Sequence, residues 1–256
     1  MKQILTPLVA LALTSSAFAA EPDTRCYELR TYHAAPGKME ELHKRFREHT
    51  LALFQKHGIN SIGFWEQLDK ENKPLGILTF LLSYPSRDAR EASWKAFMAD
   101  PDWQAAFKAS EANGPLVEKF ENPYLTATPY SPAIAPSKAD EPRAFELRIY
   151  TCEPGRLNAL HERFRNHTMG LFSKYGMTHF GYWSPMDKDQ GAENTLVYLL
   201  AHKSREAATA SFASFRNDPE WIAARKASEE KAGGSLTVKD GVQSVFMRPT
   251  DYSPTR

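Results

Sequence analysis

Polar and apolar residues alternate in the stretch YELRTY, Tyr27 to Tyr32, and this alternation predicts a β-strand. The turn residues Pro36 and Gly37 follow. Apolar residues then recur at helical spacing between Lys38 and Lys56, which predicts a helix of about five turns. Gly58 lies just beyond this helix, where a C-terminal cap favours positive φ.

Two apolar stretches, SIGFWEQL and LGILTFLLSY, come next, and the polar segment DKENKP between them predicts a hairpin. Ser86 can cap a second helix, which Asp100 and Pro101 divide into two segments. A last strand is expected near NPYLTAT. The resulting order, β-α-β-β-α-β, is that of a ferredoxin-like unit, in which both helices cover one face of an antiparallel sheet.

The same pattern occurs twice in the chain. Residues 27–112 align without a gap with residues 145–230, at a constant offset of 118 positions. We therefore expect one repeat over 26–130, a second over 144–256, and an exposed linker rich in proline and alanine over 131–143. A lone unit would leave one sheet face open, so the two repeats are predicted to pack sheet to sheet in an α+β fold.

The N-terminus has the pattern of a secretory signal peptide over residues 1–19. Lys2 precedes an apolar run that ends at Leu13, and Ala17-Phe18-Ala19 forms a small-residue cleavage site. The apolar run is shorter than the roughly 20 residues that span a bilayer. The protein is therefore expected to be exported, to the periplasm or beyond, with no integral membrane segment after cleavage.

Charge and motif content narrow the range of partners. The formal net charge is +1 and charges of both signs are mixed along the chain, which argues against binding to nucleic acid. A small molecule or a protein surface is the expected partner. No metal-binding or nucleotide-binding motif occurs. Cys26 and Cys152 do not occupy matching positions in the repeats, so a disulfide between the halves and two separate buried thiols both remain open.

Several motifs, taken in order, resemble the NIPSNAP family. They are ELRTY, PGKMEELHKRF, HTLALFQKHG, GFW and ADPDWQAAF, each with a counterpart in the second repeat. The resemblance implies a dimeric α/β-barrel closed within one polypeptide. The wider barrel superfamily includes monooxygenases and isomerases, whose pockets generally lie between the helices and the sheet of a unit. Fold alone does not determine function.

The leading hypothesis is that a small, largely apolar or aromatic molecule binds in helix–sheet clefts. Cofactor-independent oxygenase or isomerase chemistry is a possible extension of such binding. Whether the protein is an enzyme stays open, as does its cofactor, haem included. The alternative is a non-catalytic interaction or scaffold protein, in which the repeated residues only maintain the fold.

Repeated histidines are the first candidate site residues. His49 and His167 are expected at the edge of the apolar helix face, beside the cleft, either as hydrogen-bonded structural residues or as groups that contact a ligand. His43 and His161 are expected nearer the solvent. The basic residues Lys44, Arg45 and Arg47 are expected on a solvated helix face.

Charged residues on the first strand of each repeat are the second set of candidates. Strand alternation places three polar side chains on one face, and they are predicted to line the space between the two sheets. These residues are Glu28, Arg30 and Tyr32 in the first repeat, and Glu146, Arg148 and Tyr150 in the second. They would form either a structural lattice of ion pairs or a polar site for an anionic ligand.

Repeated tryptophans are the third set. Trp103, which follows the Asp-Pro pair, is expected to anchor the start of a helix. Trp65 and Trp183 are expected either in the core or near the cleft, where they could stack on a flat ligand.

Overall fold

The computed structural model describes residues 22–141 and 143–256. The predicted signal peptide lies outside the described residues. Among the helices that are described, none has both the length and the apolar character needed to cross a membrane.

Each repeat has the predicted order of strands and helices. The first comprises β1 (Cys26–Ala34), α1 (Met39–Arg45), α2 (Leu51–Lys56), β2 (Asn60–Leu68), β3 (Pro74–Tyr84), α3 (Arg87–Ala99), α4 (Pro101–Ser110), β4 (Val117–Glu121) and β5 (Tyr124–Ala127). The second comprises β6 (Ala144–Cys152), α5 (Leu157–Arg163), α6 (Met169–Lys174), β7 (Thr178–Pro185), β8 (Thr195–His202), α7 (Arg205–Arg216), α8 (Pro219–Lys231) and β9 (Thr237–Pro249).

A five-residue π-helical turn joins the first two helices of each repeat. It spans Phe46–Thr50 in the first repeat and Phe164–Thr168 in the second. In the first turn the backbone N–H of Leu51 donates to the carbonyl of Phe46, five residues earlier. The turn therefore takes up one residue more than an α-helical turn, which shifts the following side chains by about 100° around the helix.

The strands of both repeats form one closed antiparallel sheet in the order β3-β2-β9-β6-β8-β7-β5-β1-β4, with β1 also paired to β3. Strand β2 of the first repeat pairs with β9 of the second, and β5 pairs with β7. The fold is thus a dimeric α/β-barrel within one chain, as the sequence predicted. Ser86 and Asp100 cap α3 and α4 as expected, since their side chains accept hydrogen bonds from the N–H groups of Ala89 and Asp102.

The barrel interior is apolar and is built from both repeats. Tyr27 and Leu29 of β1 meet Phe145 and Leu147 of β6 in this core. The prediction that Glu28, Arg30 and Tyr32 line the space between the sheets is therefore wrong, as it is for Glu146, Arg148 and Tyr150. These polar side chains lie on the helix-covered face. The donors that pair with Glu28 and Glu146 lie on this helix-covered face, and an unpaired buried charge is costly.

The chain segments that follow β5 and β9 cross onto the opposite repeat. The backbone N–H of Thr250 donates to the carbonyl of Phe64, and that of Thr128 donates to the carbonyl of Tyr182. The linker is also less exposed than predicted, because Ile134 is buried in the barrel core. Cys26 and Cys152 are separate buried thiols, so no bridge joins the halves.

Candidate functional site

The first repeat contains a large cleft between its helices and its sheet, called here the first cleft, with a volume of about 700 Å³. Its floor is formed by β1 and β4, and its walls by α1 to α4. Its aromatic lining residues are Tyr32, Phe46, Phe54, Trp94, Phe97, Trp103, Phe107, Phe120 and Tyr124. This is the helix–sheet position that the family resemblance predicts for a pocket.

Glu28 lies beneath this cleft and is fully buried. Its carboxylate accepts hydrogen bonds from Arg30 and, through both oxygens, from Arg90. Trp94 Nε1 donates at 3.1 Å, and Tyr84 and Asn122 donate at 3.0 and 3.2 Å. The carboxylate is thus satisfied by five side chains, which is the condition for a stable buried charge.

The electrostatics of Glu28 follow from these contacts. Burial on its own raises the pKa of the carboxyl group. The hydrogen bond from Arg90 and the positive charges of Arg30 and Arg90 more than offset burial, so the pKa of Glu28 lies below its usual value. Glu28 therefore stays ionised at neutral pH and holds both arginines in place.

Arg30 projects from this ion pair into the aromatic lining. Its guanidinium lies 4.3 Å from the ring centre of Trp94 and 5.4 Å from that of Phe120. Its Nη2 donates to the hydroxyl of Tyr32 at 3.0 Å. The cleft floor therefore combines a fixed cation with flat apolar surfaces.

Arg45 forms part of the cleft wall. It is only 5% exposed, in contrast to the predicted solvated face. Its Nη1 donates to Glu111 at 2.9 Å, and its guanidinium lies over the rings of Trp103 and Phe107. The π-helical turn begins at the next residue, and the Thr50 hydroxyl donates to the carbonyl of Arg45. The turn thus fixes the end of α1 that carries this arginine.

A second cleft occupies the equivalent position in the second repeat, with a volume of about 320 Å³. Its floor has the same design, with Glu146 accepting from Arg148, His202 and Ser244. Burial raises the pKa of Glu146, but the hydrogen bond from His202 and the charge of Arg148 outweigh it and lower the pKa. Three donor side chains, rather than five, hold this carboxylate.

The walls of the two clefts differ at six positions related by the repeat offset, one of which is Glu91 in the first repeat and Thr209 in the second. Arg90, Trp94 and Lys95 of the first repeat correspond to Ala208, Phe212 and Ala213 of the second. Met98 and Phe107 correspond to Arg216 and Arg225. The first cleft is therefore larger and more aromatic, whereas arginines line the mouth of the second.

The predicted histidines do not line the first cleft. His49 lies in the π-helical turn, and its side chain is 48% exposed on the outer surface. His167 lines a separate groove between α5 and α8. The prediction that both border the helix–sheet cleft is wrong, because it assumed uniform α-helical spacing and the wider π turn rotates them outward.

His43 and His161 are instead partly or fully buried between the repeats. His43 Nε2 donates to Glu66 at 3.0 Å, and its Nδ1 is 2.8 Å from the Tyr252 hydroxyl. His161 Nδ1 is 2.7 Å from the hydroxyl of Tyr130. Each histidine thus holds the chain segment that follows the last strand of the other repeat, and the expectation that they lie nearer the solvent is wrong.

Trp65 and Trp183 belong to the barrel core rather than to a cleft. Each ring folds over the glycine two residues earlier, and a Cβ atom on Gly63 would lie 2.3 Å from the Trp65 ring. This contact explains why both repeats keep a glycine in the motifs GFW and GYW. Stacking of a ligand on these tryptophans is therefore not supported by their positions. Trp103, expected to anchor a helix, is buried at the start of α4 and also lines the first cleft.

Sequence reasoning missed Arg90, Trp94 and Tyr124 because it concentrated on residues that both repeats share. A usable signal was present, since Trp94 is the one tryptophan of five without a tryptophan at the matching position. Among the described residues, no group of three histidine, cysteine, aspartate or glutamate side chains is placed to hold a metal ion.

Comparisons with known proteins agree with this architecture. A protein described as a NipSnap homolog, from Dictyostelium discoideum, is 26% identical over 189 residues, covering 72% of this chain and 72% of that protein. A putative monooxygenase from Fusobacterium nucleatum has a TM-score of 0.57 at 11% identity, covering 88% of this chain and 92% of that one. An anthrone oxidase-like protein has a TM-score of 0.57 at 11% identity, covering 91% and 95%.

At such low identity the two structural matches establish the fold. The family is established by sequence, because the model of the family described as NIPSNAP matches residues 27–132 and again residues 145–254. These two ranges cover most of the chain, one in each repeat, and the protein therefore belongs to the NIPSNAP family.

Proposed function

We propose that the first cleft binds a small, largely aromatic molecule, and that this binding is the function of the protein. The observation that carries the proposal is the aromatic cleft of about 700 Å³ above a fixed ion-pair floor. Its volume lies within the range of about 300–1,000 Å³ that is typical of small-molecule sites. Flat rings on several sides favour a flat ligand.

The charges of this cleft favour a ligand without a full negative charge. Glu28 neutralises much of the charge of Arg30 and Arg90, and Glu111 pairs with Arg45. The guanidinium of Arg30 remains able to orient a hydroxyl or carbonyl oxygen at one end of the ligand. A neutral aromatic molecule with one polar substituent fits this arrangement best.

Binding can be tested with naphthalen-2-ol, followed by tryptophan fluorescence, and by native mass spectrometry of the purified protein for a retained ligand. The variant Met98→Arg/Phe107→Arg gives the first cleft the residues of the second. Both positions are exposed, so the variant should fold. We expect the affinity for naphthalen-2-ol to fall by about tenfold or more, since a charged group then occupies the apolar wall.

Ala92→Arg/Gln104→Arg is the matched control, because it adds the same charge to α3 and α4 at exposed positions outside the cleft lining. It should leave the affinity unchanged. Equal losses in both variants, or no binding of naphthalen-2-ol and no retained ligand, would instead favour the scaffold function.

Oxidation of the bound aromatic molecule by O₂ without a cofactor is a second candidate. The observation in its favour is the Arg30 guanidinium within an aromatic cleft, where it could stabilise an oxyanion formed on the ring. Anthrone is a suitable probe, because O₂ converts its methylene to the carbonyl of anthraquinone and the second oxygen atom leaves as water. Anthraquinone formation above the rate without protein, lost on Arg30→Met, would support this activity; equal rates would exclude it for anthrone.

We also propose that the protein acts after export. The support is the sequence pattern of residues 1–19. The exported protein should begin at Ala20, which N-terminal sequencing would test, and an intact Met1 in that fraction would contradict the proposal.

A further inference from the structure

The second cleft differs from the first in charge as much as in size. We infer that the second cleft is a separate binding site for a small organic carboxylate. The inference is independent of the function proposed for the first cleft, because it rests on residues of the second repeat alone.

Four arginines surround this cleft. Arg148 lies at its floor and Arg163 in its wall, and Arg216 and Arg225 lie at its mouth, where the first cleft has Met98 and Phe107. Each of the three guanidinium nitrogens of Arg148 already donates a hydrogen bond, to Glu146 and to the hydroxyls of Tyr150 and Tyr198. The other three arginines have to share one lining carboxylate.

That carboxylate is Glu229, and it accepts a hydrogen bond from the exposed Arg225. Arg225 Nε donates to Glu229 at 3.1 Å, whereas the nearest approach of Arg163 to the same carboxylate is 3.7 Å. In the first cleft the matching pair, Arg45 and Glu111, is 2.9 Å apart. Phe107 stands there at the position of Arg225, and its side chain has no donor that could bind Glu111. Replacing a phenylalanine by Arg225 thus adds a cation and also weakens the pairing of Arg163.

Arg163 is consequently a buried cation with spare donors. It is 6% exposed, its Nε has no hydrogen-bond partner, and its other polar contact is the Ser228 hydroxyl at 3.3 Å. Burial lowers its pKa, Glu229 opposes this effect, and the charge of Arg225 lowers the pKa further. Arg216 forms no ion pair within the part of the chain that the structure describes. An incoming carboxylate would supply the missing negative charge.

The remaining lining limits the size of the ligand. Tyr150, Phe212 and Trp221 provide apolar surfaces, but the volume of about 320 Å³ is less than half that of the first cleft. A carboxylate on a single ring or a short chain fits, and the forked donors of arginine match its two oxygens.

Calorimetric titration of the full chain with benzoate tests the inference, with benzamide as the uncharged analogue of the same shape. We expect benzoate to bind and benzamide to bind at least about tenfold more weakly, as the loss of a charge-assisted hydrogen bond implies. The variant Arg216→Met/Arg225→Phe carries the matching residues of the first repeat at exposed positions. It should weaken benzoate binding by about tenfold.

Lys44→Met/Lys108→Met is the control, because it removes two exposed positive charges outside both clefts and should leave benzoate affinity unchanged. Naphthalen-2-ol should not displace benzoate if the sites are separate. Equal binding of benzoate and benzamide, equal effects of the two double variants, displacement by naphthalen-2-ol, or no heat from benzoate up to its solubility limit would each overturn the inference.

Discussion

The two clefts of this protein have similar floors but different walls. In both, a buried glutamate on the first strand holds an arginine that projects towards the helices. The wall of the first cleft is formed by Trp94, Met98 and Phe107, and the equivalent positions of the second are Phe212, Arg216 and Arg225. The same framework therefore supports an aromatic cleft in one repeat and a smaller, arginine-lined cleft in the other.

This difference separates two kinds of repeated residue. Some positions that both repeats share, such as the glycine and tryptophan of GFW and GYW, account for packing of the barrel. The lining positions at which the two cleft walls differ lie on α3, α4, α7 and α8. In a fused pair, the covalent link preserves the fold while each cleft wall can change independently.

Removal of the floor carboxylates should lower the free energy of unfolding the most, and by different amounts in the two repeats. Glu28→Gln leaves Arg30 and Arg90 buried without their carboxylate, so we expect the free energy of unfolding to fall by about 3–5 kcal/mol. Glu146→Gln leaves a single buried arginine, Arg148, and weakens one hydrogen bond from His202, so a smaller loss of about 2–3 kcal/mol is expected. Urea unfolding measures both, and equal losses would contradict the difference.

Acidic pH should remove the difference in the free energy of unfolding between wild type and Glu28→Gln. The pKa of Glu28 is lower in the folded chain than its usual 4.5, so the unfolded chain takes up the proton first as the pH falls. The stabilisation is therefore complete above about pH 4.5 and is lost as the pH falls through the folded pKa. If the two proteins kept the same difference in the free energy of unfolding at acidic pH, this would contradict the ion-pair explanation.

Substitution of the histidines between the repeats should give the next largest loss in the free energy of unfolding. His43→Leu removes hydrogen bonds to Glu66 and Tyr252, whereas His161→Leu removes one to Tyr130 and only a long contact of 3.5 Å with Ser184. We expect losses of about 2–3 and about 1–2 kcal/mol in the free energy of unfolding, respectively. Thermal or urea unfolding would show the order, and a larger loss for His161→Leu would contradict it.

Much of the fold was predictable because its signals are local. Helix caps at Ser86 and Asp100, the turn at Gly58 and the strand alternation at Tyr27 each depend on a few neighbouring residues. Duplication of the pattern then led to a closed pair of ferredoxin-like units. The covalent barrel therefore follows from sequence periodicity together with the need to bury one sheet face.

The cleft itself was less predictable, for two physical reasons. Alternation divides β1 into two faces but does not say which one meets the barrel interior, so Glu28 was assigned to the wrong side. A π-helical turn changes helical phase without a recognised local signal, so the position of His49 was not predicted. Arg45 precedes that turn, and its burial depends on its long-range contact with Glu111, which the spacing of helical residues does not show. Both errors concern tertiary context that spacing alone does not contain.

Exchange of one wall residue should have a smaller effect, which falls on ligand affinity in the first cleft. Trp94→Phe gives the first cleft the residue of the second and removes Nε1 hydrogen bonds to Tyr84 and Glu28. We expect the affinity for naphthalen-2-ol to fall by about threefold to tenfold. The reciprocal Phe212→Trp should leave this affinity unchanged, because it alters only the other cleft. Fluorescence or calorimetric titration measures both, and equal effects would place the ligand elsewhere.

The smallest effect is expected at the outward-facing histidines that both repeats share. His49 is half exposed in its π-helical turn, and His167 faces the groove between α5 and α8, so neither lines a helix–sheet cleft. His49→Gln and His167→Gln should each change the free energy of unfolding by less than about 0.5 kcal/mol and leave naphthalen-2-ol and benzoate affinities unchanged. Urea unfolding and titration would measure these quantities. A tenfold loss of either affinity would mean that these histidines act on a bound ligand, and their repetition would then reflect function rather than the shared geometry of the turn.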